Sequence, residues 1–291
     1  MITTWFTTAT SALWRSKPAI PRRRITIKPL ENSIHRLLAK SPIAAKLAAR
    51  IRNQANCVIA YHLGESADAT ENGEFTLIEH LAPHISTFID VGANIGDWSE
   101  QMLKHSKSEG FLFEPSLQCT QRLKDRFLDR KVSIRDVAVS DEVGTKQFVE
   151  EDNCGVGSSL AETRSDDSGW HTDVAVTSLD TEFPDPAFRV DFLKIDTEGF
   201  DLKVLKGANN LLSRTRFLQF EYNSHWVSVG SSLAEANRFL HGLGFSVVLV
   251  RSTGLHPLRY DLWNDYFRYS NYFAYRSADD ELIRPLLRES I

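Results

Sequence analysis

The sequence predicts an α/β fold: a doubly wound, mostly parallel sheet of seven principal strands, preceded by a basic helical extension. Three observations lead to this prediction. After Gly73, short β-rich segments alternate with helical stretches, as expected of a sheet wound with crossover helices. A glycine-containing loop follows the first of these strands. Acidic residues end five of the strands, at Asp90, Glu114, Asp136, Asp196 and Glu221.

Strands are predicted at 87–91, 110–114 and 132–136 in the first half of the main domain, with helices at 76–84, from about Asp97 and from Ser116. Pro83 ends the first helix, because proline interrupts helical hydrogen bonds. Asp97 favours a helix start, since an acid is stabilised by the positive end of the helix dipole. Ser116 accepts hydrogen bonds from the first turn of a helix.

The second half continues the alternation. Predicted β segments lie at 137–141, 145–151, 174–179, 190–196, 216–222, 245–250 and 271–275, with helices at 199–212 and 232–241. Helices lie between the first five principal strands, and the last hairpin is expected to be antiparallel. No repeat interrupts this pattern.

Length and composition fit one catalytic domain with appendages. The chain has 291 residues, of which 42% are hydrophobic and 25% charged, and this excludes disordered and fibrous classes. We predict an amino-terminal extension at 1–56, a main domain at 73–277 and a carboxy-terminal tail at 278–291. Charge divides the chain in a similar way. Residues 1–56 carry eleven Lys or Arg and one acid, a net +10, so the remainder of a chain of net charge −4 carries −14.

The extension itself has two predicted parts. Residues 1–30 contain three prolines and no periodicity, which predicts irregular structure. Apolar residues recur at helical spacing over 32–53, and Pro42 divides this stretch into two helices. The simplest interpretation is a basic solvated face on a helix that packs on the main domain. The alternative is a surface for an anionic membrane or nucleic acid.

Cysteine usage favours a cytoplasmic protein. The three cysteines are dispersed and odd in number, which indicates neither a disulfide framework nor a zinc site. No apolar run approaches the length of a membrane span. Positive charges follow the apolar opening segment rather than precede it, unlike a secretory signal. A transit peptide is an alternative interpretation of the opening segment, because this segment is rich in Ser and Thr and poor in acids.

The loop after the first strand favours a cationic nucleoside ligand. Gly92 and Gly96 allow the backbone to approach a ligand, and Asn94 tolerates a left-handed conformation. Dinucleotide folds use GxGxxG to hold a pyrophosphate, whereas this loop reads GxNxG. Asp90, just before it, suits the amino group of the methionine portion of S-adenosylmethionine (AdoMet). A tight turn without a ligand is the simpler alternative.

Two further strand ends fit the rest of such a cofactor. Glu114 lies twenty residues after Asn94, where a carboxylate accepts hydrogen bonds from two ribose hydroxyls. Asp136 is a candidate acceptor from the adenine amino group, and an ordinary turn-forming aspartate is the alternative.

The segment around Asp196 and Glu198 carries the candidate catalytic acids. Two carboxylates this close require a cleft, where one of them has a raised pKa and acts as a general base. Alternatively, Glu198 caps the following helix and Asp196 only holds the loop. Lys194 is expected to reach solvent or to pair locally. His225 follows the fifth strand and suits proton transfer near neutral pH.

At this point the sequence resembles the FkbM family of methyltransferases. The likeness covers roughly Gly73 to Tyr275 and is carried by FIDVGANIGDWS, FEPS, DVAVSD, GVGSSL, TSLD and DFLKIDTEGFDLKVLKGA. The resemblance implies an AdoMet-dependent enzyme that methylates hydroxyls of natural products and sugars. It also implies that Asp90, Gly92, Asn94 and Gly96 contact the methionine end. Glu114 then holds the ribose, Asp136 lies near adenine, and Asp196 and Glu198 border the methyl-transfer site.

The working hypothesis is therefore AdoMet-dependent O-methylation of a small-molecule or carbohydrate hydroxyl, with Asp196, Glu198 and His225 as catalytic candidates. No specific nucleic-acid partner and no dedicated metal site are expected. A magnesium-assisted variant stays secondary, with oxygen ligands from Asp196, Glu221 and Asn223. Two other classes remain: an NAD-binding oxidoreductase, and a non-catalytic binding protein whose basic extension contacts anionic surfaces.

Overall fold

The computed structural model describes residues 35–63, 66, 68–151, 154–155, 157–160, 170–258 and 269–288. The irregular segment predicted at 1–30 lies outside these residues. The chain divides into two compact units, Met1–Cys57 and Val58–Ile291. The residues predicted as a carboxy-terminal tail belong to the second unit. In that unit Ile283 is buried in an apolar cluster, and Leu287 forms a β-bridge with Leu255.

The extension is helical where it is described. Residues 35–39 form α1, and α2 covers Pro42–Leu63. As predicted, Pro42 divides the stretch into two helices, and it stands at the start of α2, where the first turn of a helix needs no amide donor. The Ser41 hydroxyl accepts a hydrogen bond from the amide of Ala44. The helix continues ten residues beyond its predicted end at Asn53. Among the residues described, no helix combines the length and the apolar character needed to cross a bilayer.

The main unit is built on one eight-stranded sheet. Its strands, in chain order, are β1 (Thr87–Val91), β2 (Glu109–Phe113), β3 (Val132–Arg135), β8 (Val190–Ile195), β9 (Thr215–Tyr222), β10 (Ser246–Arg251), β11 (Gly254–Pro257) and β12 (Ser270–Tyr275). Their order in the sheet is β11-β10-β12-β9-β8-β1-β2-β3. The five strands from β9 to β3 pair in parallel, and β12, β10 and β11 pair antiparallel. The predicted fold class is confirmed.

A second sheet of four strands is inserted between β3 and β8. It contains β4 (Ala138–Val139), β5 (Gly144–Glu150), β6 (Ser159–Leu160) and β7 (Trp170–Thr177), in the order β4-β7-β5-β6. The sequence indicated most of these segments but not that they pair with one another. Their pairing is non-local, so the pattern within each segment does not encode it.

Helices cover the main sheet. They are α3 (Glu74–Leu81), α4 (Asp97–His105), α5 (Leu117–Arg126), α6 (Leu179–Glu182), α7 (Asp201–Lys206), α8 (Asn209–Leu212), α9 (Leu233–Gly242) and α10 (Asp280–Ile283). Successive residues of β1 point to opposite faces: Phe88 lies in one apolar cluster, and Ile89 in the other. Two buried layers therefore enclose the sheet, as a doubly wound fold requires.

Two details differ from the prediction. The helix expected over 199–212 is two short helices, α7 and α8, with Gly207 and Ala208 between them. A Cβ at Gly207 would lie 2.1 Å from the carbonyl oxygen of Ser140, so the close approach of that backbone restricts this position to glycine. The eighth strand, β11, was not predicted as a strand. It completes a tight antiparallel hairpin with β10.

The order of the parallel strands places the candidate site. The chain runs outward from β1 to β2 and β3 on one side and crosses to β8 on the other. In such sheets, ligands bind beyond the carboxyl ends of the strands where the order reverses. The loops after β1 and β8 meet at this point, since the amide of Asp196 donates to the carbonyl of Val91 at 2.9 Å.

Candidate active site

A cavity with about 720 Å³ of empty space opens beyond the carboxyl ends of β1, β2 and β8. Five residues proposed from the sequence line it: Gly92, Asn94, Glu114, Asp196 and Glu198. The ends of three strands that are neighbours in the sheet, β8, β1 and β2, thus contribute to one cavity.

The loop after β1 depends on left-handed backbone conformations. Gly92, Asn94 and Gly96 have φ values of +76°, +48° and +89°. A Cβ at Gly92 would lie 1.8 Å from the carbonyl oxygen of Asp196. Glycine is therefore required there, because the β8 loop passes directly against the β1 loop. Asparagine is the non-glycine residue that best tolerates this conformation.

Glu114 is buried at the end of β2, with 6% of its surface exposed. One carboxylate oxygen accepts from the amide of Asn94 at 2.8 Å, and the other accepts from the amide of Ser116 at 2.9 Å. Burial raises the pKa of Glu114 to about 7, although these two amide donors oppose the shift. A carboxylate has about four lone-pair sites. The remaining sites of Glu114 are therefore available to donors in the cavity, and two ribose hydroxyls fit this requirement.

Lys194 joins the two central loops from within β8. Its ammonium group lies 3.3 Å from Asp90 Oδ1 and 3.1 Å from Asp196 Oδ2, and it donates to the carbonyl of Gly92 at 3.2 Å. Burial alone would lower the pKa of Lys194, but the charges of Asp196 and Asp90 raise it above its ordinary value. The sequence suggested only a local or solvent-reaching role. The sequence shows only a lysine among the apolar residues of β8, and the structure places that lysine in register with Asp90.

Three carboxyl groups converge beside the cavity. One oxygen from each of Asp196, Glu198 and Glu221 lies within 4.8 Å of the others. Asn223 Nδ2 donates to Glu221 at 2.6 Å and to Glu198 at 3.1 Å. His225 Nδ1 lies 3.7 Å from Glu198 Oε2, and the imidazole is partly exposed. The candidate catalytic residues Asp196, Glu198 and His225 are therefore neighbours in space.

This crowding of acids changes their protonation. Burial, and then the charge of Asp196, raises the pKa of Glu198 to about 7. The same two causes raise the pKa of Glu221 well above its usual range. Glu198 has a φ of +50°, a conformation that non-glycine residues rarely adopt. Strain of this kind persists at functional sites, where the surrounding structure enforces it.

The same three carboxylates could hold a divalent cation, but not with the expected ligand set. The amide oxygen of Asn223 accepts from the amide of His225 at 3.0 Å, and its NH₂ group faces the carboxylates. Asn223 therefore presents a donor to the cluster instead of the expected oxygen ligand. In this cluster, Glu198 supplies the third oxygen ligand that was expected from Asn223.

The second sheet forms the far wall of the cavity, which the sequence did not indicate. Lining residues from this part of the chain are Ala138, Val139, Phe148, Gly155, Gly157, Ser158, Ser159 and Leu160. Asn94 Nδ2 donates to the carbonyl of Cys154 at 3.3 Å and so links the β1 loop to this wall. The motif GVGSSL, noted only as part of a resemblance, lies here.

Three predicted cofactor residues do not line the cavity. Asp90 is fully buried, where it accepts from Ser99 Oγ at 2.6 Å and pairs with Lys194. Gly96 packs against α5, and a Cβ there would lie 2.6 Å from the ring of Phe127. Asp136 is exposed, directly before Val137, which does line the cavity. Direct contact of these three with a cofactor stays a prediction. In the structure, Asp90 and Gly96 shape the loop.

The buried acids make stability depend on pH. Asp201 is fully buried at the start of α7, and burial followed by the charge of Asp196 raises its pKa to about 7. An acid with a raised folded-state pKa stabilises the fold below its unfolded pKa, and this contribution is lost as pH rises to about 7. Above that pH, Asp201→Asn should raise the free energy of unfolding by on the order of a few kcal/mol, because it removes the cost of ionising a buried acid. We expect its melting temperature to exceed that of the wild type clearly at pH 8 and only slightly at pH 4, because the cost of ionising Asp201 builds up between its unfolded and folded pKa values.

The matched control for this prediction is Asp129→Asn, at an exposed turn residue. It should follow the wild type at both pH values. Equal melting temperatures for the wild type and Asp201→Asn at pH 8 would contradict the assignment.

Comparison with known proteins identifies the family. Residues 90–247, more than half of the chain, match the methyltransferase FkbM domain. This range includes the β1 loop, the second sheet and the acidic cluster. No curated protein sequence matches the chain significantly.

Several solved structures are similar to the chain at low identity. An rRNA methylase from Streptococcus thermophilus has 12% identity and a TM-score of 0.40, with 69% of this chain and 94% of that chain covered. An S-adenosylmethionine-dependent methyltransferase from Clostridium acetobutylicum ATCC 824 has 5% identity and a TM-score of 0.41, with 78% and 99% covered. Magnesium protoporphyrin IX methyltransferase from Synechocystis PCC 6803, with bound SAM, has 10% identity and a TM-score of 0.36, with 70% and 80% covered.

The match over residues 90–247 agrees with the strand order of the sheet and with the cavity at its switch point. The chain belongs to the FkbM methyltransferase domain family and is an AdoMet-dependent methyltransferase.

Proposed function

We propose that this methyltransferase acts on oxygen, and that its acceptor is a hydroxyl of a small molecule or of a sugar or glycan. The observation that carries the proposal is the position of Glu198. It lines the same cavity as Glu114, and burial raises its pKa to about 7. A carboxylate with this pKa accepts a proton from a hydroxyl near neutral pH more readily than an ordinary glutamate does.

Residues of the β1 and β2 ends would hold the cofactor. The backbone of Gly92 and Asn94 lies along one side of the cavity, and the buried carboxylate of Glu114 faces it from β2. Glu114 would accept from the ribose hydroxyls. The hydrogen bond from Asn94 to Cys154 fixes the β1 loop against the second sheet. This wall limits the access of water to the ligand.

Bound AdoMet supplies an already activated methyl group, so the protein has to align the acceptor and remove its proton. Glu198 is the base we favour. Burial and then the charge of Asp196 raise its pKa, and Asn223 orients it by a hydrogen bond to Oε2. His225, 3.7 Å from the same oxygen and partly exposed, is the residue we propose to pass the proton to solvent.

Mass spectrometry of metabolite extracts incubated with methyl-labelled AdoMet tests the proposal. We expect label in a hydroxyl-bearing small molecule or glycan, as a methyl ether. Total RNA and protein fractions incubated in parallel serve as comparison. Label confined to RNA or protein, or carried on nitrogen or carbon, would contradict the proposed acceptor class.

A thermal-shift assay separates this proposal from the oxidoreductase alternative. We expect AdoMet and S-adenosylhomocysteine to raise the melting temperature and NAD to leave it unchanged, because no phosphate-binding GxGxxG loop is present in the sequence. Stabilisation by NAD alone would favour the oxidoreductase.

A second candidate mechanism adds a divalent cation, favoured by the three converging carboxylates. Exhaustive treatment with EDTA distinguishes the two mechanisms. We expect turnover to persist without added metal, because the NH₂ group of Asn223 and the ammonium of Lys194 already offset part of the acidic charge. Loss of turnover that Mg²⁺ restores, while AdoMet affinity is retained, would assign the cluster to a metal.

A further inference from the structure

Helix α2 of the extension carries an exposed apolar stripe. The exposed fractions of Ile43, Leu47, Ile51 and Val58 are 80%, 57%, 62% and 69%. At about 100° per residue, these four side chains fall within an arc of about 80°. Aliphatic side chains aligned and exposed in this way indicate an interaction surface.

The charged side chains of the same helix are all positive. No acid occurs between Glu31 and Glu65, whereas residues 32–64 contain five Lys or Arg. Lys46 and Arg50 border the apolar stripe on the helix surface. Both lie on the same side of the stripe. An apolar stripe with bases beside it is the pattern of helices that lie in the plane of a membrane, with the stripe at the acyl boundary and the bases at anionic headgroups.

We propose that α2 binds the surface of an anionic lipid bilayer, with the stripe Ile43, Leu47, Ile51 and Val58 facing the lipid. Charge complementarity selects an anionic surface, and the stripe selects lipid over nucleic acid. Binding to a phosphate backbone is driven by Lys and Arg side chains and does not require a row of exposed aliphatic side chains. A helix of 22 residues is about 33 Å long, enough to lie along the interface.

This surface is independent of the proposed methyl acceptor. Its residues lie outside the cavity and outside the range that matches the family. The binding test therefore needs neither AdoMet nor an acceptor, and its outcome does not depend on the proposed function.

The test is flotation of the full-length protein with vesicles of phosphatidylcholine, alone or mixed with phosphatidylserine. We expect binding to the mixed vesicles and at least about tenfold weaker binding to phosphatidylcholine, since each base near an anionic surface contributes roughly fivefold. Raising the salt concentration from about 0.1 to about 0.5 M should weaken the binding, because the electrostatic part is screened.

Two double variants separate the contributions of the stripe and the bases. Leu47→Ser with Ile51→Ser keeps every charge and should reduce binding by roughly a hundredfold, because each aliphatic side chain that enters lipid contributes about tenfold or more. Lys46→Gln with Arg50→Gln keeps the stripe and should remove most of the preference for phosphatidylserine. Leu128→Ser is the matched control, at a leucine of the second unit that is 80% exposed, and should bind like the wild type.

Cys57 provides a direct probe of depth. It is exposed, whereas Cys119 and Cys154 are buried, so an environment-sensitive fluorophore on a native thiol should attach at Cys57. Fourteen residues after Ile43, it lies at the edge of the stripe, on the side of Lys46 and Arg50. We expect a blue shift of the fluorophore with mixed vesicles.

Three results would overturn the proposal. The first is no binding to mixed vesicles. The second is full binding by the Leu47→Ser, Ile51→Ser variant, which would leave only non-specific attraction of charge. The third is a dimer of the wild type, found by light scattering without lipid, that this variant abolishes, because the stripe would then be a contact between two copies of the chain.

Discussion

Glu114→Ala should abolish most of the affinity for AdoMet. The buried carboxylate would lose its hydrogen bonds to the ribose, and each hydrogen bond to a charged group contributes about 1.5–3 kcal/mol. Loss of two such bonds corresponds to a reduction in affinity of roughly a hundredfold or more. Isothermal titration calorimetry measures this change. The amides of Asn94 and Ser116 would also lose their acceptor, so the melting temperature should be recorded alongside.

Glu109→Ala is the control for this experiment. Glu109 is the first residue of the same strand, at the opposite end, and it pairs with Lys131. We expect its removal to leave AdoMet affinity unchanged. Wild-type affinity in a folded Glu114→Ala variant would contradict the assignment of Glu114 to the ribose.

The affinity of the wild type should also depend on pH. Because burial raises the pKa of Glu114 to about 7, the carboxylate is mostly protonated at pH 6 and cannot accept from both ribose hydroxyls. We expect the dissociation constant to be up to about tenfold larger at pH 6 than at pH 8. In Glu114→Gln this dependence should disappear.

Glu198→Gln should lower kcat by roughly 10²- to 10⁴-fold, the usual contribution of general base catalysis. AdoMet affinity should stay near that of the wild type, since the ribose site is separate. The wild-type rate should rise with pH up to a plateau above about pH 7, because the carboxylate loses its proton in this range. The variant should lose this rise of the rate with pH, the acidic limb of the pH profile. Both measurements use the acceptor found by mass spectrometry.

Glu281→Gln, at an exposed glutamate of α10, is the matched control and should retain full activity. Parallel profiles for Asp196→Asn and His225→Ala test the other two candidates. A Glu198→Gln variant with wild-type kcat and an unchanged pH profile would exclude Glu198 as the base. If Asp196→Asn alone removed the limb, the base would be Asp196.

Local sequence patterns were sufficient to predict the fold class. β1, β8 and β9 are short apolar runs that end in acids, and helical periodicity fills the intervals between them. Such runs are typical of parallel strands buried on both faces. The second sheet was harder, because β4 and β6 have only two residues each. Two residues carry no periodicity, and their pairing depends on partners far away in the sequence.

The candidate site was predicted in part. Gly92, Asn94, Glu114, Asp196 and Glu198 were proposed from the sequence, and the structure brings them to one cavity. Strand ends at a switch point are recognisable from element order alone. The identity of Lys194 as a bridge was missed, because a single lysine in a strand does not reveal which carboxylates surround it.

The sequence by itself determined the fold class, the family resemblance and the residues that end each strand. These features depend on local patterns, such as the apolar runs and the GxNxG loop. Only the tertiary structure decided which acids share a cluster, which of them are buried, and that Asn223 presents a donor and not an oxygen ligand. Protonation and hydrogen bonding depend on desolvation and on neighbours distant in the chain, and folding alone brings those groups within reach.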